Sequence, residues 1–282
     1  MLFRSSQATL SIDNAQPVVQ GAWYGGSFAT DVGGVIPFAA GEAGPATAGV
    51  HDLASRLRDL VLQADADQRG VVQPAAVQTT PVTGDCGGSG TLVVDDNPIT
   101  GAFSGQANFS SYCTLGTTIS GSVSFSGQVD PVSLLLRSMT MTCNNLSVID
   151  VTFSGAIVEG SVAFVVAADG NSETDTMDYV LRDNLLNKSY WINDYRIQIL
   201  YGALSDQITL TGRYYDPDFG FVNIATLQPL QVSTALVPDS GTMLFTGQGS
   251  KAQLRFNPGQ SPLLELDANN DGVYELTIPD PL

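Results

Sequence analysis

The sequence contains few basic residues and a single histidine. Its 282 residues include 11 Lys and Arg, 28 Asp and Glu and one His, for a formal net charge of −17. The lysines are Lys188 and Lys251. A nucleic-acid-binding protein needs a basic surface to neutralise phosphates. The charge balance therefore argues against nucleic acid as a partner and favours cations or basic partners.

Sequence motifs of common enzyme classes are also missing. There is no G-x-S-x-G elbow, S-x-x-K pair, P-loop or dinucleotide fingerprint. A His-dependent catalytic triad would depend entirely on His51. These absences favour a non-enzymatic protein. A glycosidase built on two carboxylates stays open, because acids on separate strands leave no pattern in the sequence.

The chain has no long apolar run. No segment approaches the roughly 20 apolar residues that cross a membrane as a helix, so the sequence predicts no transmembrane helix. The first residues, Met1 to Gln7, show no apolar core of a secretory signal. The β-rich texture and the shortage of lysine nevertheless favour export. We expect a periplasmic, outer-membrane-anchored or extracellular protein whose signal is not present in the given chain, through truncation.

Cysteine is scarce and shows no metal-binding spacing. The three cysteines are Cys86, Cys113 and Cys143, without a C-x-x-C or Cys/His pattern. This argues against zinc. In an exported protein two cysteines would form a disulfide and one would stay free, whereas in a cytosolic protein all three would be thiols. We favour one disulfide, and the sequence leaves the pairing open.

The N-terminal quarter differs in composition from the rest. Residues 1–75 are rich in small residues, and 1–49 are predicted to be extended or loop because glycine pairs interrupt the short apolar runs. Helical spacing predicts an amphipathic helix over about residues 50–68. Its apolar positions are Leu53, Leu57, Leu60, Val61 and Ala64. The Pro/Gln/Thr-rich stretch from Val71 to Thr83 is predicted to be a linker.

Residues 84–282 show the alternation of β-strands. Tyr195, Ile197 and Ile199 fall on one face of a predicted strand, as do Met177, Tyr179 and Leu181. A helix from Tyr179 to Asn187 is an alternative. The pattern predicts a mainly β protein, an antiparallel sandwich or barrel-like meander with one N-terminal amphipathic helix that packs against or plugs it. The β domain spans 84–282, with a subdivision near residue 170 as a further alternative.

The other predicted strands lie between turn signals along the same region. They cover Gly90 to Val94, Gly101 to Phe109, Thr117 to Val129, Ser133 to Thr142, Val148 to Ala167, Gly220 to Thr226, Thr242 to Gly247, Ala252 to Phe256, and a final hairpin of Leu263 to Leu266 with Val273 to Ile278.

The turn of that final hairpin has the spacing of a calcium loop. Oxygen-bearing side chains alternate up to a glycine, and position 9 is acidic. The candidate ligands are Asp267, Asn269, Asp271, Val273 through its carbonyl, and Glu275. Position 12, where an EF-hand has a bidentate Glu, is Ile278, so an EF-hand is rejected. The loop resembles the Asp-rich calcium hairpins of exported bacterial β-proteins, which implies calcium as a stabilising ion.

The same residues also suit an ordinary hairpin turn. Asn270, Asp271 and Gly272 are residue types that adopt left-handed backbone conformations. A turn between two paired strands would explain them without a metal, and both interpretations can hold together.

Aromatic residues are concentrated in the second half of the chain. They include Tyr179, Tyr190, Trp191, Tyr195, Tyr201, Tyr214, Tyr215, Phe219 and Phe221. Aligned on an exposed face they would form a platform for sugar rings, and otherwise they are core residues and cross-strand pairs. The run from Arg213 to Gly220 resembles the RYYDP signature of YD-repeat proteins, but it occurs once. Asp216-Pro217-Asp218 within it is therefore predicted to be a turn between strands.

The stretch from Gly212 to the end of the chain is similar to the C-terminal half of uncharacterised bacterial exported or lipoprotein-type proteins. We therefore expect a non-enzymatic bacterial envelope or surface protein, structural or partner-binding and stabilised by calcium. The alternative function is a carbohydrate-binding module or a carboxylate-dependent glycan hydrolase. The expected partner is an envelope protein or a polysaccharide.

Overall fold

A computed structural model of the chain describes residues 6–27, 57–62, 77–114, 117–149, 154–233 and 238–282. It contains one antiparallel sheet of 14 strands whose order follows the chain, so that each strand pairs with its sequence neighbours. The prediction of a mainly β, antiparallel meander is confirmed.

The first seven strands are β1 (Gln78–Thr83), β2 (Ser89–Asn97), β3 (Ala102–Thr114), β4 (Thr117–Val129), β5 (Leu136–Ile149), β6 (Ser154–Val166) and β7 (Ser172–Asp183). The others are β8 (Lys188–Leu200), β9 (Asp206–Asp216), β10 (Gly220–Val232), β11 (Ser240–Gly247), β12 (Ser250–Phe256), β13 (Leu263–Asp267) and β14 (Leu276–Pro279).

The sheet buries one face. In β8, the side chains of Tyr195, Ile197 and Ile199 are buried, whereas Arg196 and Gln198 between them are exposed. The same alternation runs through most strands, because successive side chains point to opposite faces. The buried faces form one continuous apolar core. The alternative helix from Tyr179 to Asn187 is not formed, since β7 continues to Asp183.

A helix that the sequence did not predict packs against the buried face. This helix, α1 (Ala15–Ser27), contacts β8 and β9, and the Tyr195 hydroxyl donates a hydrogen bond to the Ala22 carbonyl at 3.0 Å. The prediction of extended or loop structure is wrong over these residues. A Cβ at Gly21 would lie 2.2 Å from the Tyr214 hydroxyl oxygen. The small residues that lower helix propensity therefore allow the helix to approach the sheet closely.

A second helical segment, α2, comprises residues 57–62. Leu57 and Val61 are buried in the common core. Arg58 donates a hydrogen bond to the Glu173 carboxylate on β7 at 2.9 Å, and its guanidinium lies 4.9 Å from the centre of the Phe164 ring. The predicted helix is confirmed over 57–62. Its other residues, 50–56 with His51 and 63–68, lie outside the described residues.

The sheet begins inside the stretch that was predicted to be a linker. Strand β1 occupies Gln78–Thr83 and pairs with β2, so the linker prediction is wrong there, and residues 71–76 lie outside the described residues. Pro81 lies within β1. Proline cannot donate a ladder hydrogen bond, but it is tolerated in a strand at the end of a sheet. Because the stretch does not alternate, its pairing could not be seen in the sequence.

The expected disulfide is present and joins Cys86 to Cys113, whose Cα atoms are 5.1 Å apart. It connects the β1–β2 turn to the end of β3. Cys143 is a buried free thiol on β5. Burial raises the pKa of Cys143 to about 12, so this thiol is protonated and unreactive at neutral pH.

The meander places alternate turns at opposite ends of the sheet. One end, called rim A, carries the β1–β2, β7–β8, β9–β10 and β13–β14 turns among others. The opposite end, called rim B, carries the β2–β3, β4–β5, β6–β7 and β8–β9 turns among others. Residues 6–10 run along rim A, where the Leu10 amide donates a hydrogen bond to the Ser250 hydroxyl at 2.7 Å.

Candidate functional site

The candidate metal loop lies between the last two strands on rim A. Strand β13 ends at Asp267 and β14 begins at Leu276, which pairs with Leu266. Residues 273–275, which were predicted to belong to the final strand, are therefore part of the loop. Asn270 and Gly272 have φ angles of 59° and 92°. These left-handed conformations agree with the residue types that the turn interpretation used.

Asp267 is the centre of the loop. Its side chain is fully buried, and its two carboxylate oxygens accept hydrogen bonds from the Asp271 amide at 3.1 Å and the Gly272 amide at 2.8 Å. The Lys251 ammonium lies 3.1 Å from Oδ2. Burial by itself would raise the pKa of Asp267, but the bonds from Lys251 and the Gly272 amide outweigh it and lower the pKa. The group is therefore a carboxylate at neutral pH.

The remaining polar groups complete a closed network. The side-chain oxygen Oδ1 of Asn269 accepts a hydrogen bond from the Asp271 backbone amide at 2.9 Å, and the side-chain nitrogen Nδ2 of Asn269 donates to Asp271 Oδ2 at 3.1 Å. Asp271 Oδ1 accepts from the Val273 amide at 2.8 Å. Glu275 Oε2 accepts from the Ala268 amide at 2.9 Å. The loop conformation is thus fixed by its own side chains.

Three of the five predicted ligand residues meet. One carboxylate oxygen each from Asp267, Asp271 and Glu275 lie within 4.8 Å of one another, and this cluster could hold a metal ion. Asn269 is held beside Asp271, and Val273 joins the network through its amide. The donors are all oxygen, which suits hard cations such as Ca²⁺ or Mg²⁺ rather than thiophilic metals.

Lys251 is a site residue that sequence reasoning missed. It lies on β12 and is directly paired with Asp267 on β13. Aligning the alternating residues of β12 and β13 in an antiparallel register would have placed these two side chains next to each other. Its ammonium already neutralises part of the Asp267 charge, so it competes with any cation bound there.

The predicted aromatic group is divided between the two faces of the sheet. Tyr179, Tyr190, Tyr195 and Tyr214 are buried in the core. On the opposite face, the Trp191 and Tyr215 rings stack with centroids 4.5 Å apart, and the centre of the Phe221 ring lies 5.3 Å from that of Tyr215. These three residues are directly cross-strand paired on β8, β9 and β10. They form a short aromatic strip across three strands.

Polar groups border this aromatic strip. The Trp191 indole and the Asn193 amide each donate a hydrogen bond to the Asp178 carboxylate at 2.9 Å. An open depression beside Trp191 is lined in part by Asn144, Glu159 and Asp178. The strip and depression therefore combine an aromatic ring with hydrogen-bonding groups.

The turn prediction for Asp216-Pro217-Asp218 is confirmed. Strand β9 ends at Asp216 and β10 begins at Gly220. The Asp216 carboxylate accepts hydrogen bonds from the amides of Asp218 and Phe219 at 2.8 and 3.2 Å. These contacts form a side-chain-capped turn.

Comparisons with protein-family models, with curated proteins and with solved structures give no match to this chain. Among the described residues, no helix is both long enough and apolar enough to cross a membrane.

Proposed function

We propose that the protein is a non-enzymatic, exported bacterial envelope or surface protein with a structural or partner-binding role, and that calcium braces its terminal hairpin. The main support for this proposal is the way the two helices pack against the buried face of the sheet. Apolar side chains of α1 and α2 fill the buried face, including Trp23, Leu57 and Val61. This packing supports a rigid scaffold rather than a substrate-binding interior.

The disulfide supports export. Bonds such as Cys86–Cys113 form and persist in oxidising compartments, whereas cytosolic thiols stay reduced. Trapping thiols with an alkylating reagent in intact producing cells tests this point. The proposal expects Cys86 and Cys113 to resist alkylation until a reductant is added. Labelling of both residues without reduction would contradict export.

Calcium would be held by Asp267, Asn269, Asp271, Val273 and Glu275. An ion would offset the repulsion among the three clustered carboxylates and tie β13 to β14. Ile278 packs against the core and offers no ligand, and Lys251 competes for Asp267. We therefore propose weak binding, with a Kd of about 10⁻⁴ to 10⁻³ M, as in extracellular calcium modules.

Thermal unfolding of chelator-treated protein tests the calcium proposal. Calcium at about ten times its Kd should add about 1.4 kcal/mol, which corresponds to a rise in Tm of roughly 2 to 4 °C. The variant D271N/E275Q keeps acceptor oxygens for the loop amides but loses two charges, and it should show no rise. Lys251→Met should bind calcium more tightly. An unchanged Tm of the wild type across the titration would exclude the calcium brace.

A carbohydrate-binding module is the second candidate. The aromatic strip supports it, because a half-buried indole beside carboxylate and amide groups suits the stacking of a sugar ring. Chemical-shift changes on titration with a panel of soluble oligosaccharides would test it. Trp191→Ala should abolish binding, whereas Trp191→Phe should retain part of it. If no oligosaccharide shifts the resonances of the strip, this candidate fails.

A further inference from the structure

Three of the turns on rim B carry strongly exposed apolar side chains. In the β2–β3 turn Ile99 is 86% exposed, in the β4–β5 turn Val132 is 91% exposed, and in the β8–β9 turn Leu204 is 91% exposed. Leu135 and Leu200 on the same rim are more than half exposed. Isolated exposed apolar residues are ordinary, but a series of them along one edge marks an interaction surface.

Two of these turns use the same chemistry. Asn97-Pro98-Ile99-Thr100 and Asp130-Pro131-Val132-Ser133 share an Asx residue, a proline, a β-branched apolar residue and a hydroxyl residue. The Asn97 side-chain oxygen accepts hydrogen bonds from the Ile99 and Thr100 amides at 3.1 and 3.2 Å. Asp130 caps the Val132 and Ser133 amides in the same way at 3.1 and 2.9 Å. Each cap holds an apolar side chain outward in a fixed position.

The β4–β5 turn also contains backbone strain. Leu134 has a φ angle of 59°, a left-handed conformation that bulky residues rarely adopt, and its side chain is 48% exposed. An Asn or Gly would adopt this conformation at lower cost. A leucine held there therefore costs stability, while it adds apolar surface to the rim.

Hydrogen bonds join successive turns of rim B into one continuous edge. The Gln128 side chain donates to the Thr100 carbonyl at 3.3 Å, which links the β2–β3 turn to β4. Arg137 bonds both Asp130 and the Ala168 carbonyl, at 3.0 and 2.8 Å. The Tyr201 amide donates to the Asn171 carbonyl at 2.9 Å. Turns two strands apart are about 10 Å from each other along the sheet, so the Ile99 turn is about 10 Å from the Val132 turn, and the Leu204 turn lies about 20 Å further along. A partner segment about 30 Å long can contact all three.

The charge of the rim restricts what can cover it. Among the described residues, this edge carries Asp95, Asp96, Asp130, Asp169 and Asp206 on or beside its turns. The bases Arg137 and Arg255 at this end of the sheet are already paired with Asp130 and Glu265. If rim B of a second molecule of this protein docked here, carboxylates would face carboxylates and repel each other. An anionic lipid surface would repel the rim in the same way. The exposed apolar side chains of the rim B turns and the carboxylates beside them are complementary to an apolar surface flanked by basic residues.

We propose that rim B is a docking surface for a basic amphipathic segment of a partner protein, with Ile99, Val132 and Leu204 as its apolar anchors. This inference rests on the proposed partner-binding role and specifies its partner. The preformed turns lower the ordering cost of binding. Opposite charge would speed association and make it sensitive to salt.

Fluorescence anisotropy with a labelled 18-residue Leu/Lys amphipathic peptide as the probe tests the proposal. Wild type should bind it, and I99S/V132S/L204S should raise the Kd at least about tenfold. The matched control I149S/L185S/L186S removes apolar side chains that are 45, 70 and 55% exposed on rim A, and it should change the Kd less than about twofold. Equal melting temperatures would show that both variants are folded.

A charge variant separates the electrostatic contribution. D95N/D169N/D206N keeps the side-chain acceptors that cap the Asn171 and Gly202 amides. It should weaken peptide binding at low salt, and the difference from wild type should shrink at high salt. A Leu/Glu peptide of the same pattern should not bind wild type.

Three results would overturn the proposal. The first is that the Leu/Lys peptide fails to bind wild type or binds the rim B variant equally well. The second is binding to phosphatidylcholine vesicles that the rim B variant loses while peptide binding is unchanged. The third is a wild-type dimer in sedimentation that the rim B variant dissociates. Calcium stabilisation and the oxidised Cys86–Cys113 pair are measured independently, so the proposed function would survive any of these.

Discussion

Tyr195 and Tyr214 lie on neighbouring strands, are fully buried and face α1, yet their hydroxyl groups differ. The Tyr195 hydroxyl is bonded to the Ala22 carbonyl at 3.0 Å. The Tyr214 hydroxyl has no hydrogen-bond partner among the described residues. Burying a polar group without a partner costs free energy, so one of these similar residues stabilises the helix contact and the other weakens it.

Tyr214→Phe should raise the free energy of unfolding by about 1 kcal/mol, because it removes an unsatisfied buried hydroxyl without changing the ring. Tyr195→Phe is the matched control and should lower it by about 1 kcal/mol, since it leaves the Ala22 carbonyl without its donor. Urea unfolding curves of both variants measure the difference. Destabilisation of the same size in both would mean that the Tyr214 hydroxyl has a partner in solution.

Asp267 should make stability depend on acidity. The fold lowers its pKa below the ordinary value of about 3.9, so the native state favours the carboxylate. Its contribution is present above that ordinary value and is lost as pH falls through the native pKa. In chelator, the free energy of unfolding should fall between about pH 5 and pH 3 more steeply for wild type than for Asp267→Asn. Parallel curves would contradict the assignment.

At the scale of elements, the disulfide links the β1–β2 turn at the start of the sheet to β3. It closes a loop with a sequence separation of 27 residues. The strands it joins are the first three of the sheet, and β1 pairs with β2 alone among the described strands. An end strand has hydrogen bonds on one side only, so it depends more on a covalent restraint than a central strand does.

Replacing the bridge by C86S/C113S should lower the free energy of unfolding by about 3.5 kcal/mol, the value expected for a closed loop of this length. Guanidinium unfolding should show a lower midpoint for the variant. Reductant should reproduce that shift in wild type and have no effect on the variant. A variant with the wild-type midpoint would show that the strand pairing alone fixes this edge.

The elements that alternate cleanly could be predicted, and those held by tertiary contacts could not. β4 was predicted with its observed bounds because apolar and polar residues alternate throughout it. α1 was missed, since Gly21, Gly25 and Gly26 indicate a loop unless the nearby tyrosines are known. The metal cluster could be predicted from spacing. Lys251 was missed because its contact with Asp267 becomes visible only when β12 and β13 are aligned in their antiparallel register.

At the scale of the whole molecule, the two ends of the sheet differ in chemistry. Rim A holds the disulfide and the oxygen-rich loop of Asp267, Asp271 and Glu275. Rim B carries Ile99, Val132 and Leu204, which are 86 to 91% exposed, whereas the most exposed apolar side chain among the described residues of the rim A turns, Leu185, is 70% exposed. The filled core separates them. No pattern in the sequence indicates this difference between the two ends, because it depends on which turns the meander collects at each end.

Residues 6–10, which precede α1, also constrain the order in which the chain can fold during synthesis. Most pairing is between neighbouring strands and can form as each hairpin is synthesised. Residues 6–10 are different, because Gln7 bonds Thr246 and Leu10 bonds Ser250, some 240 positions later. Residues 6–8 also pair with Phe221, so they can join the sheet only after β10 has been synthesised, and the bonds to Thr246 and Ser250 can form only after the β11–β12 hairpin.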